Sequence, residues 1–229
     1  MGVCTRYAAY VAPPPGPLAD FAAGWLGWDP AASVVRDHIR IPGLPRAVED
    51  LTATPRKYGF HATLKPPFRL AERSHRRELE ADFAALAARL PAVTLDGLEL
   101  SRLGGFLALT PVGDAEALRS LSAEVLAGLD HHRAPATEAE LARRRAAGLT
   151  ANQAVHLRRW GYPYVMDEFR FHFTLTGALS DADAAATAAA LAPIITPLLP
   201  RPFVIDSLCL FGEAGDEKFH RLGRYPLAG

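Results

Sequence analysis

An internal repeat constrains this chain more than any other feature. Gly59-Phe60-His61-Ala62-Thr63-Leu64 matches Arg170-Phe171-His172-Phe173-Thr174-Leu175, 111 residues further on. Each string precedes a helical pattern and then two strand-like runs. Thirty-three residues separate His61 from Thr94, and 32 separate His172 from Val204. The agreement runs through a whole strand–helix–strand unit, which chance similarity does not produce. The offset also excludes a solenoid, whose repeats run about 20–50 residues. The expected architecture is α+β: one bilobal domain over residues 1–229, with two pseudo-two-fold-related lobes facing a central cleft. Each lobe carries an antiparallel sheet and helices, and the motif strands lie near 59–65 and 170–176.

The rest of the pattern fits that frame. Residues 6–12 read as a strand closed by Pro13-Pro14-Pro15, and 18–28 as a short amphipathic helix. Residues 30–57 are irregular and Pro-rich. Leu79, Phe83, Leu86 and Leu90 make one apolar stripe on a helix over 71–90. Residues 93–100 and 105–110 predict a hairpin around Gly104-Gly105. A helix over 115–129 carries Leu118, Leu121, Val125 and Leu129. Thr137 with Glu140, and Thr150 with Gln153, are capping-box patterns that each start a further helix. An Ala-rich helix over 181–192 ends near Pro193, and residues 203–211 and 218–225 predict a second hairpin.

Composition narrows the class. Twenty-five Lys and Arg balance 25 Asp and Glu, with 49% hydrophobic residues. That is an ordinary globular profile, and a chain this long buries enough surface to fold without metal or disulfide staples. Neutrality argues against long nucleic acid as a partner, because that affinity rests on Lys and Arg at phosphates. No apolar run reaches the ~18–20 residues of a membrane span. Met1 to Pro15 lacks the basic start and apolar stretch of a secretory leader. Cys4 and Cys209 make neither a disulfide framework nor a zinc signature, so the expected setting is reducing and cytoplasmic.

The repeated motif carries the chemistry. On a strand, residues i and i+2 share a face. His61 and Thr63 therefore point one way, opposite Phe60, Ala62 and Leu64. His172 and Thr174 point one way, opposite Phe171, Phe173 and Leu175. Continuing the alternation adds Lys65, Arg170 and Thr176 as possible substrate contacts. Two imidazoles and two hydroxyls at one cleft suit a phosphodiester. A neutral imidazole takes a proton from water, and a charged one protonates the leaving oxygen. The hydroxyls hold non-bridging oxygens, and Lys65 or Arg170 offsets developing charge. Nothing in this set demands a metal or another cofactor.

The paired His61-x-Thr63 and His172-x-Thr174 resemble the 2H phosphoesterase superfamily. The longer strings Arg56–Phe68, Arg6–Tyr10, and Trp160–Tyr164 through Phe171–Gly177 are similar to one branch of it, encoded with phosphonate-degradation (carbon–phosphorus lyase) operons. The resemblance spans nearly the whole chain. It implies a bilobal α+β fold and metal-independent chemistry on cyclic phosphates or nucleotide-linked phosphodiesters. His61 and His172 become the acid/base pair, and Thr63 and Thr174 the phosphate holders. The operon link implies a small phosphorylated sugar as substrate, of the ribose cyclic phosphate type. Two alternatives stand beside it: an RNA 2′,3′-cyclic or 2′-5′ phosphodiesterase or ligase-like enzyme acting on RNA ends, and a nucleotide- or RNA-binding module without turnover.

Other signals read as structural. Asp130-His131-His132 falls at a helix end, where His suits the dipole. Arg143-Arg144-Arg145 reads as a solvated face. His38, His75 and His156 lack partners at ligand spacing. Tyr58, just before the first motif, and His220, in the last hairpin, are expected at the edge of the cleft. Tyr7 and Tyr10 lie on opposite faces of the first strand, and read as core or as a stacking platform.

Overall fold

Strand β1 (Arg6–Val11) is buried along almost its whole length, as a central strand with both faces covered requires. Tyr7, Ala9 and Val11 join the main core, whereas Ala8 and Tyr10 join a smaller cluster with Cys209, Phe211 and Phe219. The computed structural model describes residues 4–146 and 148–229. Met1 to Val3, part of the stretch read for a leader, lie outside them.

After β1 come α1 (Pro17–Leu26) and a two-strand ribbon, β2 (Trp28–Asp29) with β3 (Val34–Val35). Two single-turn helices follow, α2 (Val48–Leu51) and α3 (Ala53–Arg56), in the stretch expected to be irregular. The first motif strand is β4 (Ala62–Phe68), and α4 (Arg76–Ala87) follows it. Next come β5 (Val93–Leu95), β6 (Gly97–Leu103), β7 (Phe106–Val112) and α5 (Glu116–Gly128). A 3-10 turn, Asp130–His132, leads to α6 (Glu138–Arg145) and α7 (Ala151–Trp160). Both helices start on the expected capping boxes, at Thr137 and Thr150.

The second motif strand, β8, is short (Phe173–Thr174). Its ladder stops early because Leu107 N–H donates to the Thr176 hydroxyl, while Leu107 O accepts from Leu175 N–H. Helix α8 (Asp181–Ile195) runs past Pro193, with fully buried Ile195 holding its last turn in the core. The chain ends with β9 (Phe203–Ile205), β10 (Ser207–Glu213) and β11 (Phe219–Pro226).

The fold is α+β with antiparallel sheets. Its two halves are not separate sheets, however: they share one of seven strands, ordered β11-β10-β1-β4-β8-β7-β6. The join is the pair Ala62↔Phe173 between β4 and β8. The hairpin following each motif builds the half that holds the other motif. β6–β7 lies beside β8, and β10–β11 lies beside β1, which pairs with β4. The runs expected as single strands over 93–100 and 203–211 each break at an aspartate, Asp96 and Asp206. Their first parts, β5 and β9, leave the main sheet and pair with each other, Thr94 opposite Val204. Helices α4, α5 and α8 pack on β10–β11, β4 and β6–β7 respectively, which covers the core face. The other face carries the motif histidines.

Candidate active site

Alternation along β4 and β8 sets the site. Ala62 and Phe173 are fully buried in the main core, so their neighbours emerge on the opposite face. His61, Thr63, His172 and Thr174 are all half-buried there. The register Ala62↔Phe173, carried one residue either way, sets His61 opposite Thr174 and Thr63 opposite His172. Directly opposed residues in an antiparallel pair have Cβ atoms about 5 Å apart. Each half therefore supplies its histidine to the other half's threonine.

The two imidazoles are held in the same way. His61 Nδ1 lies 2.9 Å from Gly59 O, and His172 Nδ1 lies 2.7 Å from Arg170 O. A carbonyl oxygen only accepts, so Nδ1 carries the proton in both rings. Nε2 is then the lone-pair nitrogen of each neutral ring. Gly59 has φ +69°, a backbone that favours glycine, and a Cβ there would run into the Pro30 ring. The tight turn before the first motif thus aims the carbonyl that orients His61.

The surroundings of the two rings differ. Tyr10, paired across the ladder with Thr63, stacks on His61 at 3.7 Å between centroids. Phe211 and Tyr58 stand behind it, at 6.4 and 6.0 Å. His172 has Phe106 at 5.6 Å. Burial, followed by the charge of His172, pushes the His61 pKa down to about 4 against the opposing Gly59 bond. Burial also lowers the His172 pKa. Both shifts favour the neutral rings at pH 7. The Tyr10 phenol is raised well above its usual value by burial, and the nearby Tyr58 and Tyr162 phenols add to this. Arg144 lies over the Tyr162 ring at 4.6 Å, whereas Arg143 and Arg145 of the same run are exposed.

Three expected contacts do not join the site. Lys65 is 1% exposed and donates to Asp130 Oδ1 at 2.9 Å and to Leu126 O at 3.0 Å. The β1–β4 register slips between Ala9↔Lys65 and Tyr10↔Thr63. That bulge turns Lys65 to the helix face, beneath the sheet. Thr176 is buried, and its hydroxyl serves Leu107 N–H and Gly177 O. His220 is taken up by the ribbon side of β11: Nδ1 lies 2.8 Å from the Ser33 hydroxyl, and Nε2 3.1 Å from Asp216. Tyr58 does border the site. Arg170 is exposed at its mouth, and contributes its carbonyl to His172. Strand alternation alone does not say which neighbouring strand lies alongside, so the Tyr10 stack on His61 and the Phe106 contact with His172 come only from the fold.

The two motif pairs meet on one face of the joined sheet, where its two halves adjoin. A groove of about 630 Å³ between α8 and β6 and one of about 790 Å³ along the 37–49 loop lie elsewhere. No helix among the described residues is long and apolar enough to cross a membrane. Both cysteines are buried and free.

Fold and site together define an α+β protein with a symmetric pair of His-x-Thr strands on one sheet face. The chain belongs to the family described as "Protein of unknown function (DUF1045)", whose model matches residues 63–220. That span holds Thr63, His172 and Thr174. Two curated relatives are both called ribose 1,5-bisphosphate phosphokinase PhnN. The one from Janthinobacterium sp. (strain Marseille) is 45% identical over 79% of this chain and 40% of its own length. The one from Laribacter hongkongensis (strain HLHK9) is 36% identical over 91% of this chain and 48% of its own. The chain thus spans less than half of either relative. Among solved structures, E. coli LigT complexed with NADP+ is 15% identical with a TM-score of 0.46, covering both chains fully. A structure described as a phosphoesterase is also 15% identical, with a TM-score of 0.44 over 98% of this chain and 99% of its own. Likenesses of that size leave the chemistry to be argued from the residues.

Proposed function

We propose that the chain is a phosphoesterase of the 2H type that opens a cyclic phosphate on a small phosphorylated sugar. The observation that carries this is the matched pair of imidazoles. Each is fixed through Nδ1 to the carbonyl two residues upstream, and each stands across from a threonine hydroxyl. A phosphodiester set between them meets one nitrogen on either side and hydroxyl donors at its non-bridging oxygens.

The step needs only these groups. Water attacks phosphorus in line with one ester oxygen. One Nε2 takes the water proton as the new P–O bond forms. The other Nε2–H gives its proton to the departing oxygen as the old P–O bond breaks. His61, stacked under Tyr10 and more depressed in pKa by burial and by its neighbour, stays neutral and is the base. His172 acquires its proton when the anionic substrate arrives, because a phosphate charge beside an imidazole favours the charged ring. Each general acid–base contribution is worth about 10²–10⁴-fold.

The relatives' printed name supports the substrate. Both are named for ribose 1,5-bisphosphate. Breaking the bond between O2 and phosphorus in 5-phosphoribosyl 1,2-cyclic phosphate with water yields that bisphosphate. A chain of this kind would then supply the sugar that its longer relatives are named for using, in phosphonate breakdown.

A second reading, a 2′,3′-cyclic nucleotide or RNA end, draws on the aromatic wall beside His61. Tyr58 is half-buried and stacks on Phe219 at 5.0 Å, a surface on which a base could lie.

Phosphorus NMR in EDTA tests both, with 5-phosphoribosyl 1,2-cyclic phosphate and a 2′,3′-cyclic nucleotide offered to wild type and to His172→Ala. Opening of the sugar phosphate by wild type alone supports the first reading, and opening of the nucleotide instead supports the second. Silence on both, with tight binding of either compound, would replace turnover by a binding role.

A further inference from the structure

A second group of ligand-type side chains lies outside the site described above. Asp82 on α4 meets His131 and His132 of the 3-10 turn after α5. Nε2 of both histidines lies 3.0 Å from the same oxygen, Asp82 Oδ2. Adjacent residues on a helical turn normally point well apart. Here the two rings sit 4.0 Å apart between centroids, with both Nε2 atoms turned to one point.

The turn is fastened so that this convergence persists. Ser74 Oγ holds Nδ1 of His132, which leaves Nε2 as the outward nitrogen. His132 O accepts from Ala71 N–H at 2.8 Å, and Ala134 N–H donates to Arg69 O at 2.8 Å. His132 is almost fully buried while His131 and Asp82 are exposed, so one ligand is fixed and the mouth is open to solvent.

From this geometry we propose that Asp82, His131 and His132 form a zinc-type divalent metal site that ties α4 to the turn after α5. Bonds of about 2.0–2.2 Å from a tetrahedral zinc to nitrogen and oxygen set neighbouring ligand atoms roughly 3.3–3.5 Å apart. The observed separations of 3.0 Å need only a small outward movement to admit the ion. The two imidazoles favour zinc and other later transition metals over calcium or magnesium, which prefer oxygen donors alone. Ser74 takes the role of the second-shell partner that orients a ligating histidine. Glu78, one turn earlier on α4, is occupied by the helix cap at His75 N–H, so water fills the fourth position. Asp130, next to His131, is the residue that anchors Lys65 beneath β4. The clamp therefore braces the underside of the first motif strand.

Metal-stripped protein reloaded with cobalt or zinc tests this, with bound metal counted by mass spectrometry and cobalt geometry read from its visible spectrum. Wild type and the His61→Ala/His172→Ala double variant are expected to bind one ion per chain with a tetrahedral cobalt spectrum. His131→Ala and Asp82→Ala are expected to lose it, and Ser74→Ala to weaken it by about tenfold or more. Zinc is expected to raise the Tm of wild type but not of His131→Ala, whose metal-free Tm and circular dichroism report intact folding. His131 is exposed, so its truncation leaves the core alone. Wild type that stays empty in excess zinc would overturn the proposal, and so would binding that survives His131→Ala but disappears with the motif histidines.

Discussion

Ala62 and Phe173 face each other across the antiparallel contact that joins β4 to β8, and each immediately follows a motif histidine. Thr94 and Val204, which occupy matching places further along the repeat, also face each other. An antiparallel pair has local two-fold symmetry. A repeat that pairs with itself at two such points is bound to bring both copies of any outward residue to one side. The convergence of His61 and His172 is thus a consequence of the self-pairing.

His61→Ala and His172→Ala are each expected to lower kcat by about 10²–10⁴-fold, while circular dichroism and Tm stay near wild type. The double variant is expected to lose far less than the product of the two, because the pair acts as a unit. Near-normal turnover in both single variants would remove the acid–base assignment.

Gly59→Ala tests how His61 is aimed. At φ +69° an alanine is strained, and its methyl meets Pro30. The Gly59 carbonyl shifts, and the His61 ring follows. A fall in kcat of roughly 10–100-fold is expected, with KM much less affected. A variant with unchanged kcat would show that the Nδ1 bond does not position the ring.

Lys65→Met separates a structural lysine from a substrate contact. It leaves Asp130 half-buried with only Arg133 as its partner. Urea unfolding is expected to show a loss of roughly 3 kcal/mol, and kcat/KM on properly folded protein to stay within about threefold. Unchanged stability with a raised KM would place the ammonium on the substrate side after all.

Stability should depend on pH through His61. Its pKa is about 4 in the folded protein against 6.5 for an ordinary histidine. Between those values the unfolded chain binds more protons, so stability rises with pH across this window. The contribution is complete above about 6.5 and drains away as pH falls towards 4, by at most ~3 kcal/mol. Denaturation midpoints from pH 7 to 4 are expected to fall less steeply in His61→Gln than in wild type.

The pH–rate profile follows from the same burial. In the free protein both imidazoles are depressed, so the proton that His172 must carry is scarce at pH 7. kcat/KM is expected to rise as pH drops from 8 towards 6, with its descending limb below the ordinary histidine value of about 6.5. In kcat, where bound phosphate favours the charged ring, that limb is expected at higher pH. Identical limbs in the two profiles would count against proton uptake on binding.

The repeat, the strand alternation and the capping boxes are local patterns, and whatever depends on them alone is legible in the residues. That covers the α+β class, the helices begun at Thr137 and Thr150, the two hairpins, and the shared face of His61 with Thr63 and of His172 with Thr174. Alternation holds only while a strand stays in step with its neighbour, and the neighbour is chosen by distant residues. Tertiary structure alone decided that a bulge against β1 turns Lys65 under the sheet, that Leu107 claims Thr176, and that Ser33 and Asp216 hold His220. It also decided that the two hairpins exchange halves, and that Tyr10 stacks on His61. Asp82 and the His131-His132 pair stand about 50 residues apart, with no shared period to link them. Only the packing of α4 beside the turn after α5 brings their ligand atoms to one point.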